Sequence, residues 1–254
     1  MLTSSFSYGI ESDINCLKSL KASLEDPFNY LSSWDFNNAT EGFICKFIGI
    51  DCWHPEESKV LNIRLSDMEL KGEFPHGLKN CSALTGLDLS SNKFYGTIPS
   101  DFSHILPYVT TLDLSSNNFS GEIPKDMANC TYLNVLKLDS NKLSGQIPLD
   151  LVSLSRLNSF SVANNLLSGP VPIFRFPVQA ENYANNAVYN EGFPGVYSHT
   201  EMYSSGKLSL WNLKAFESIL SKELNQENAD GNVFGTQESV ANLNSFQGYT
   251  GQFM

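Results

Sequence analysis

Five segments of the chain share one arrangement of apolar and polar positions. They begin at Val60, Leu84, Val109, Leu133 and Leu157, so successive copies are 24 or 25 residues apart. In each copy apolar side chains alternate with polar ones, and a Gly and then a Pro follow, as in VTTLDLSSNNFSGEIP. The alternation predicts a short strand with one buried face. The Gly and the Pro predict a turn after the strand, because Gly allows a tight bend and Pro cannot continue a strand ladder.

The period and the pattern L-x-x-L-x-L-x-x-N are typical of leucine-rich repeats, whose period is about 20–29 residues. One copy cannot bury its apolar face alone, so neighbouring copies stack their strands in parallel and share one core. The sequence therefore predicts an α/β solenoid of five repeats over residues 60–180, with parallel strands on its concave face. A side-chain amide at the end of each strand can satisfy inward-facing main-chain groups. The asparagines at this position are Asn92, Asn117, Asn141 and Asn165, whereas the first copy has Met68 there.

Residues 13–59 precede the repeats and have the features of an N-terminal cap, which covers the end of the solenoid core. Ser12 or Asp13 is a suitable N-cap for a helix that ends near residues 26–27, where Pro follows Asp. Cys45 and Cys52 lie on either side of an apolar, strand-like run. In an oxidising compartment, a disulfide between these two cysteines would close the cap.

The other three cysteines carry weaker signals. Cys81 and Cys130 each lie three residues before a strand-opening leucine, and we interpret both as small buried thiols. Cys16 either pairs within the cap or stays free, since an odd number of cysteines leaves at least one unpaired.

The two ends of the chain do not follow the repeat template. An export signal has a basic segment followed by an apolar one, and residues 1–12 do not show this pattern. We interpret these residues as the remnant of a leader. Residues 181–254 contain no repeat. We expect a divergent, flexible tail there, with one candidate amphipathic helix over residues 208–224. No stretch of the sequence approaches the roughly 18–20 apolar residues that span a bilayer.

Composition argues against several classes of function. The formal net charge is -11 and Lys and Arg total 16, so we expect no basic surface for nucleic acid. The four histidines do not have a metal-binding spacing, and no nucleophile-elbow, phosphate-loop or kinase motif occurs. Asp88 and Asp113 occupy corresponding positions of adjacent repeats, but both belong to the repeat consensus LDLSSN. We therefore expect no catalytic site, no metal, no cofactor and no small-molecule substrate.

The cap and the repeats together resemble a known family. The strings DINCLKSLKASLEDPFNYLSSW and ICKFIGIDCWHPEESKVLNIRLS, followed by SGEIP-type repeats, are similar to the ectodomains of plant leucine-rich-repeat receptor-like kinases. The cap motif, the position of Cys16 and the number of repeats most resemble the small ectodomains that bind somatic-embryogenesis co-receptor kinases. The resemblance covers residues 13–186 and stops where the family continues with a Gly-Leu-Cys-Gly-type motif and a second cysteine.

The resemblance implies a right-handed superhelix of plant type, located outside the cell or at its surface. It also implies a partner, the leucine-rich-repeat ectodomain of a co-receptor kinase in immune or growth signalling. Two alternatives stay open from the sequence. A secreted inhibitor of a cell-wall-degrading enzyme shares the plant repeat, although such inhibitors typically have more repeats and both disulfide caps. A truncated, non-functional product is the other alternative, in keeping with the absence of a visible export signal and the unrelated tail.

Candidate binding residues follow from the strand pattern, because the outward side chains of the predicted strands form the concave face. Five of them depart from the Ser/Asp consensus and are predicted to bind the partner: Asn62, Arg64, Val135, Lys137 and Asp139. Four N-x-[ST] sequons predict glycosylation at turn or convex positions, which would leave the concave strands clear: Asn38, Asn80, Asn118 and Asn129.

Overall fold

The computed structural model describes residues 8–37, 40, 42–54 and 58–189. Within these residues, helix α1 spans Tyr8–Ala22 and helix α2 spans Phe102–Ile105. Short 3-10 helices span Tyr30–Ser33, Phe43–Lys46, His76–Asn80, Lys125–Asn129, Leu149–Ser153 and Ala180–Asn182. The strands are β1 (Ile50–Cys52), β2 (Val60–Arg64), β3 (Lys71–Gly72), β4 (Gly86–Asp88), β5 (Lys93–Thr97), β6 (Thr111–Asp113), β7 (Asn118–Glu122), β8 (Val135–Lys137), β9 (Lys142–Gln146), β10 (Ser159–Ser161), β11 (Leu166–Pro170) and β12 (Ala187–Tyr189). The sequon at Asn38 and the candidate helix over residues 208–224 lie outside the described residues.

Two sheets run along the stacked repeats. The first has the strand order β1-β2-β4-β6-β8-β10, and the second has the order β3-β5-β7-β9-β11-β12. Strand β1 runs antiparallel to β2, and the repeat strands of the first sheet are parallel to one another. Each repeat thus contributes one strand to each sheet. The predicted α/β solenoid with parallel concave strands is confirmed.

The core is a column of apolar side chains enclosed by the sheets and the 3-10 helices. Leu87, Leu112, Leu136 and Phe160 occupy one register row of the first sheet, and each is at most 1 % exposed. Burial of one such side chain contributes about 1.5–3 kcal/mol. Because each row needs its neighbours to exclude water, stacking of the repeats stabilises the whole column.

An asparagine ladder joins the turns that follow the concave strands. Asn141 is typical: its Nδ2 donates to the carbonyl oxygens of Leu114 at 2.9 Å and Leu138 at 3.2 Å. Its Oδ1 accepts from the main-chain N–H of Phe119 at 2.9 Å. The first copy has Met68 in place of an asparagine. Its turn is held by the asparagine of the second copy, because Met68 N donates to Asn92 Oδ1 at 3.1 Å. The predicted role of the template asparagines is confirmed.

The ladder runs one rung further than the five copies predict. Asn186 is buried, its Oδ1 accepts from Leu167 N at 3.0 Å, and its Nδ2 donates to Val162 O at 2.9 Å. Strand β12 then pairs in parallel with β11. The sequence lacks the leucine pattern after residue 180, but this one asparagine is enough to continue the turn geometry. The described repeat structure therefore extends to residue 189, past the predicted boundary at residue 180.

Aromatic packing covers the apolar end of the last full repeat. The rings of Phe160 and Phe174 have centroids 4.7 Å apart, and those of Phe174 and Phe176 are 5.4 Å apart. Phe174 and Phe176 are half-buried, whereas Phe160 beneath them is 1 % exposed. Residues 173–178 thus shield the core at the end where the resembling family has a disulfide cap.

Helix α1 begins earlier than its sequence pattern predicts. The helix starts at Tyr8, so the prediction of Ser12 or Asp13 as N-cap is wrong, and the helix crosses the predicted boundary between a leader and the cap. Asp13 lies inside the helix and is fully buried. Its Oδ2 accepts from the main-chain N–H of Val60 at 3.1 Å. The carboxylate therefore joins the helix to the first repeat strand instead of capping the helix.

Two disulfides fasten the N-terminal cap. One joins Cys45 to Cys52, with Cα atoms 5.5 Å apart, and links a 3-10 helix to β1. The other joins Cys16 of α1 to Cys81, with Cα atoms 5.4 Å apart. The interpretation of Cys81 as a free thiol is wrong, because α1 packs against the 3-10 helix His76–Asn80 and brings two cysteines 65 positions apart together. Cys130 is a free, buried cysteine, and burial raises the pKa of its thiol to about 12.

Candidate binding surface

One row of outward side chains crosses the concave face. The strand register places Arg64 beside Asp88, Asp88 beside Asp113, Asp113 beside Lys137, and Lys137 beside Ser161. Neighbouring strands are about 4.8 Å apart, so the row is about 19 Å long. Its two cations lie at or near its ends with the two carboxylates between them, and this charge pattern suits recognition of a protein surface.

Asn62 and Arg64 are held at one end of this row by Asp51 of β1. The Arg64 guanidinium lies 2.5 Å from the Asp51 carboxylate, and Asn62 Nδ2 donates to the same carboxylate at 3.3 Å. The Asn62 side chain lies over Gly86, where a Cβ would collide with it. Since the Arg64 side chain is 60 % exposed, this ion pair contributes only about 0–1 kcal/mol. A carboxylate on a partner could therefore replace Asp51 at little cost.

Val135, Lys137 and Asp139 form a separate group on and just after β8. Lys137 Nζ lies 3.1 Å from Asp113 Oδ2, and the hydrogen bond and charge of Asp113 raise the pKa of Lys137. Val135 and Asp139 are half-buried. Three strand steps, or about 14 Å, separate this group from Asn62 and Arg64. The five predicted binding residues thus lie on one face but in two groups.

The neighbouring carboxylates of Asp88 and Asp113 are engaged in local hydrogen bonds. Each Oδ1 accepts from the main-chain N–H and the hydroxyl of the serine two residues later, at 2.6–3.1 Å. These contacts fix the strand ends. Across residues 8–37, 40, 42–54 and 58–189, no group of three or more His, Cys, Asp or Glu side chains could hold a metal ion.

A row of large exposed side chains, which the strand pattern does not predict, lies along one lateral edge. We call Tyr108, Tyr132 and Arg156 the lateral ladder. The two tyrosine rings have centroids 6.0 Å apart, and the Arg156 guanidinium carbon lies 5.2 Å from the centre of the Tyr132 ring. Tyr108 is 53 % exposed and Tyr132 is 42 % exposed. The ladder therefore presents two aromatic rings and a cation to solvent.

The position of the ladder is set by the repeat itself. Each member directly precedes the buried apolar residue that opens a repeat: Val109, Leu133 or Leu157. The register of the strands therefore stacks the three side chains at equal intervals. In the sequence these residues form a column of non-consensus side chains, but the column lies one position before the strand pattern begins.

The described sequons lie away from the concave strands. Asn80 and Asn129 are the last residues of 3-10 helices, and Asn118 begins β7 of the second sheet. All three are exposed. Asn129 lies three residues before Tyr132, so a glycan attached there would border the lateral ladder but not the concave row.

Fold and surface together define a class of protein, the plant-type leucine-rich-repeat ectodomain with a disulfide-bonded N-terminal cap. A family model for the leucine rich repeat N-terminal domain matches residues 10–53, and one for the leucine rich repeat matches residues 83–105 and 108–130. In the part of the chain that the structure describes, no helix is long and apolar enough to cross a membrane.

Two curated relatives come from Arabidopsis thaliana. A probably inactive leucine-rich repeat receptor-like protein kinase is 53 % identical over 134 residues, which are 53 % of this chain and 22 % of that protein. The inactive receptor-like serine/threonine-protein kinase BIR2 is 53 % identical over 124 residues, which are 49 % of this chain and 20 % of BIR2. The chain thus spans about a fifth of the length of the curated relatives it matches.

Solved structures from the same plant extend this similarity. The BIR2 ectodomain superposes with a TM-score of 0.69 at 47 % identity, over 71 % of this chain and 95 % of that one. A chain of the BIR3–SERK2 complex superposes with a TM-score of 0.68 at 42 % identity, over 71 % of this chain and 97 % of that one. The chain belongs to the family of plant leucine-rich-repeat receptor-kinase ectodomains, and its described residues have the fold of that family.

Proposed function

We propose that this chain is a non-catalytic binding module that docks on the leucine-rich-repeat ectodomain of a co-receptor kinase in plant immune or growth signalling at the cell surface. The observation that carries the proposal is the lateral ladder. Tyr and Arg are enriched among the few residues that dominate protein interfaces. Two similarities support it: the crystallised complex of BIR3 with SERK2, and relatives that are named inactive kinases.

The ladder is well suited to act as the centre of such an interface. Arg156 stacks on Tyr132, which limits its rotamers before binding and lowers the entropy lost on association. Arg156 forms no ion pair with the carboxylates of the described residues. Its charge is therefore available to a carboxylate of the partner, and the adjacent rings supply apolar contact area.

The group formed by Val135, Lys137 and Asp139 extends this surface onto the concave face. Only Leu133 and Asn134 lie between Tyr132 and Val135, and the main-chain N–H of Asn134 donates to Thr110 O at 2.8 Å, which fixes the connection. Lys137 and Asp139 follow on the same strand end. We assign the main contact to this combined surface, and a second contact to Asn62 and Arg64.

Isothermal calorimetry of the chain against a panel of co-receptor ectodomains, at an acidic pH typical of the plant cell exterior, tests the proposal. Tyr132→Ala and Arg156→Ala should each weaken binding at least tenfold, in line with central interface residues. Tyr95→Ala is the matched control, because Tyr95 is 37 % exposed but belongs to β5 of the second sheet. Its affinity should equal that of the wild type.

Two charge variants test the concave contacts. Arg64→Ala should weaken binding by a smaller factor than the ladder variants. Lys137→Glu should slow association, because it reverses a charge on the docking face. If the wild-type chain binds no ectodomain of the panel, the receptor-type function is rejected. If Arg64→Ala weakens binding but both ladder variants bind normally, the function stands and the contact lies within the concave row.

A further inference from the structure

Two sequons occupy the same place in different repeats but differ in the state of their middle cysteine. Asn80-Cys81-Ser82 begins at the last residue of one 3-10 helix, and Asn129-Cys130-Thr131 begins at the last residue of another. In both, the cysteine N–H donates to the carbonyl oxygen three residues earlier, at 2.9 Å for Cys81 and 3.1 Å for Cys130. Cys81 is bonded to Cys16, whereas Cys130 is free.

We propose that closure of the Cys16–Cys81 disulfide controls N-glycosylation of Asn80: the glycan is attached before the bond closes, and closure ends access to the sequon. The proposal concerns the secreted form of the chain and does not depend on which partner it binds. Asn129 serves as the internal reference, because its sequon has the same backbone arrangement and no disulfide.

The middle of both sequons is buried in the folded chain, since Cys130 is 0 % exposed without any disulfide. Cys81 is 5 % exposed, and its carbonyl oxygen accepts from Leu84 N at 3.1 Å. Helix α1 lies directly on the preceding 3-10 helix, since a Cβ at Gly77 would collide with Ser19. A transferase that must hold three sequon residues in its active site can therefore reach Asn80 only if this segment lifts away from α1. The covalent link to Cys16 prevents that movement.

The control acts in one direction. Asn80 is exposed at the end of its 3-10 helix, so a glycan that is already attached fits the folded, disulfide-bonded structure. If glycosylation comes first and the disulfide closes afterwards, the chain carries both the Asn80 glycan and the Cys16–Cys81 bond. Closure first leaves Asn80 without a glycan, and secreted protein should be a mixture of these two forms.

Both reactions are simple exchanges that compete in time. In glycosylation, Asn80 Nδ2 bonds to the anomeric carbon of a lipid-linked oligosaccharide, loses a proton, and the lipid pyrophosphate leaves. In closure, the two thiols give two protons and two electrons to the disulfide of an oxidoreductase, which becomes a dithiol. Chains emerge at about 5–20 residues per second and disulfides form in seconds or longer, so the two steps overlap.

Site-resolved glycan occupancy tests the proposal. The full chain is secreted from plant cells behind a cleavable export signal, and occupancy at Asn80 and Asn129 is measured by mass spectrometry of the glycopeptides. Cys16→Ser should raise occupancy of Asn80 at least twofold and leave Asn129 unchanged. Because this variant can fail to fold, occupancy is measured in the intracellular pool as well, where glycosylation is complete before export.

Three variants separate the disulfide from other causes. Cys45→Ser breaks the other cap disulfide without touching either sequon, and should leave Asn80 at its wild-type occupancy. Cys130→Ser should leave both sites unchanged. Ser82→Thr makes the acceptor triplet match that at Asn129. The proposal is supported if Asn80 still has lower occupancy than Asn129 in this variant, and if the two occupancies become equal when Cys16→Ser is added. Equal Asn80 occupancy in the wild type and Cys16→Ser, or an equal rise in Cys45→Ser, overturns it.

Discussion

Replacement of Asp13 by Asn should remove a pH dependence from the junction between the N-terminal cap and the first repeat. Asp13 is fully buried, and its Oδ1 has no hydrogen-bond partner. Burial raises the pKa of its carboxyl from 3.8 to about 6. The groups that oppose this shift are the main-chain N–H groups of Val60 and Ser82 and the charge of Lys59. Their effect is smaller than the cost of burying the charge.

The sign follows from the direction of the shift. A carboxyl whose pKa is higher in the folded state is more easily ionised in the unfolded chain, so ionisation favours unfolding. The destabilisation is absent well below pH 3.8, grows between pH 3.8 and 6, and is complete above about pH 7. A shift from 3.8 to about 6 corresponds to about 3 kcal/mol, of which about 2 kcal/mol develops between pH 4.5 and 7.5.

Urea unfolding of the wild type and Asp13→Asn at a series of pH values measures this effect. The difference in unfolding free energy between the two proteins should shift by about 2 kcal/mol in favour of the variant from pH 4.5 to 7.5. Other titrating groups are common to both and cancel. Hydrogen exchange should locate the change in α1 and β2. A difference that stays constant across this pH range would refute the reasoning, because it would mean that the pKa of Asp13 is the same in the folded and unfolded states.

Three further predictions concern stability. Asn141→Ala should lower the unfolding free energy by about 3 kcal/mol, since it leaves buried main-chain groups of two neighbouring turns unpaired. The same substitution at Asn134, which is half-buried and lies outside the asparagine ladder, is the control in chemical denaturation. Phe174→Ala should lower the unfolding free energy by about 3 kcal/mol or less, because the ring is only half-buried. An unchanged melting temperature in calorimetry would show that the ring does not cover the core. Deletion of residues 190–254 should leave the circular dichroism of the repeats intact, and loss of folding would show that these residues complete the C-terminal end.

The sequence predicts features that depend on residues close together in the chain, and it does not predict those that depend on contacts between distant residues. The leucine positions and the asparagine turns depend on one repeat and its neighbour, so the pattern alone predicted them. The pairing of Cys16 with Cys81 depends on α1 packing across 65 positions, which no local spacing indicates. The same holds for Asp13, whose favourable capping pattern is overridden by its contact with Val60.

The candidate site was predicted only in part, for a different reason. The strand pattern predicted correctly that Arg64 and Lys137 project from the concave face, because side-chain direction alternates along a strand. It could not predict that Asp51 and Asp113 would engage these two cations within the chain. Nor does alternation say anything about the residue before a strand, where the lateral ladder lies.

The repeat architecture explains why that overlooked position can carry specificity. The residue before each strand-opening apolar side chain makes no contribution to the leucine column or the asparagine ladder, so the fold does not restrict its identity. In successive repeats it is Lys59, Ala83, Tyr108, Tyr132 and Arg156. The solenoid stacks these positions at fixed intervals whatever occupies them, so large side chains in the third to fifth repeats produce a contact strip without any cost to the core. Ala83 ends the strip on the cap side. The proposed binding by this edge would depend on three side chains that the fold does not require, so exchange of Tyr132 or Arg156 should alter affinity while leaving stability almost unchanged.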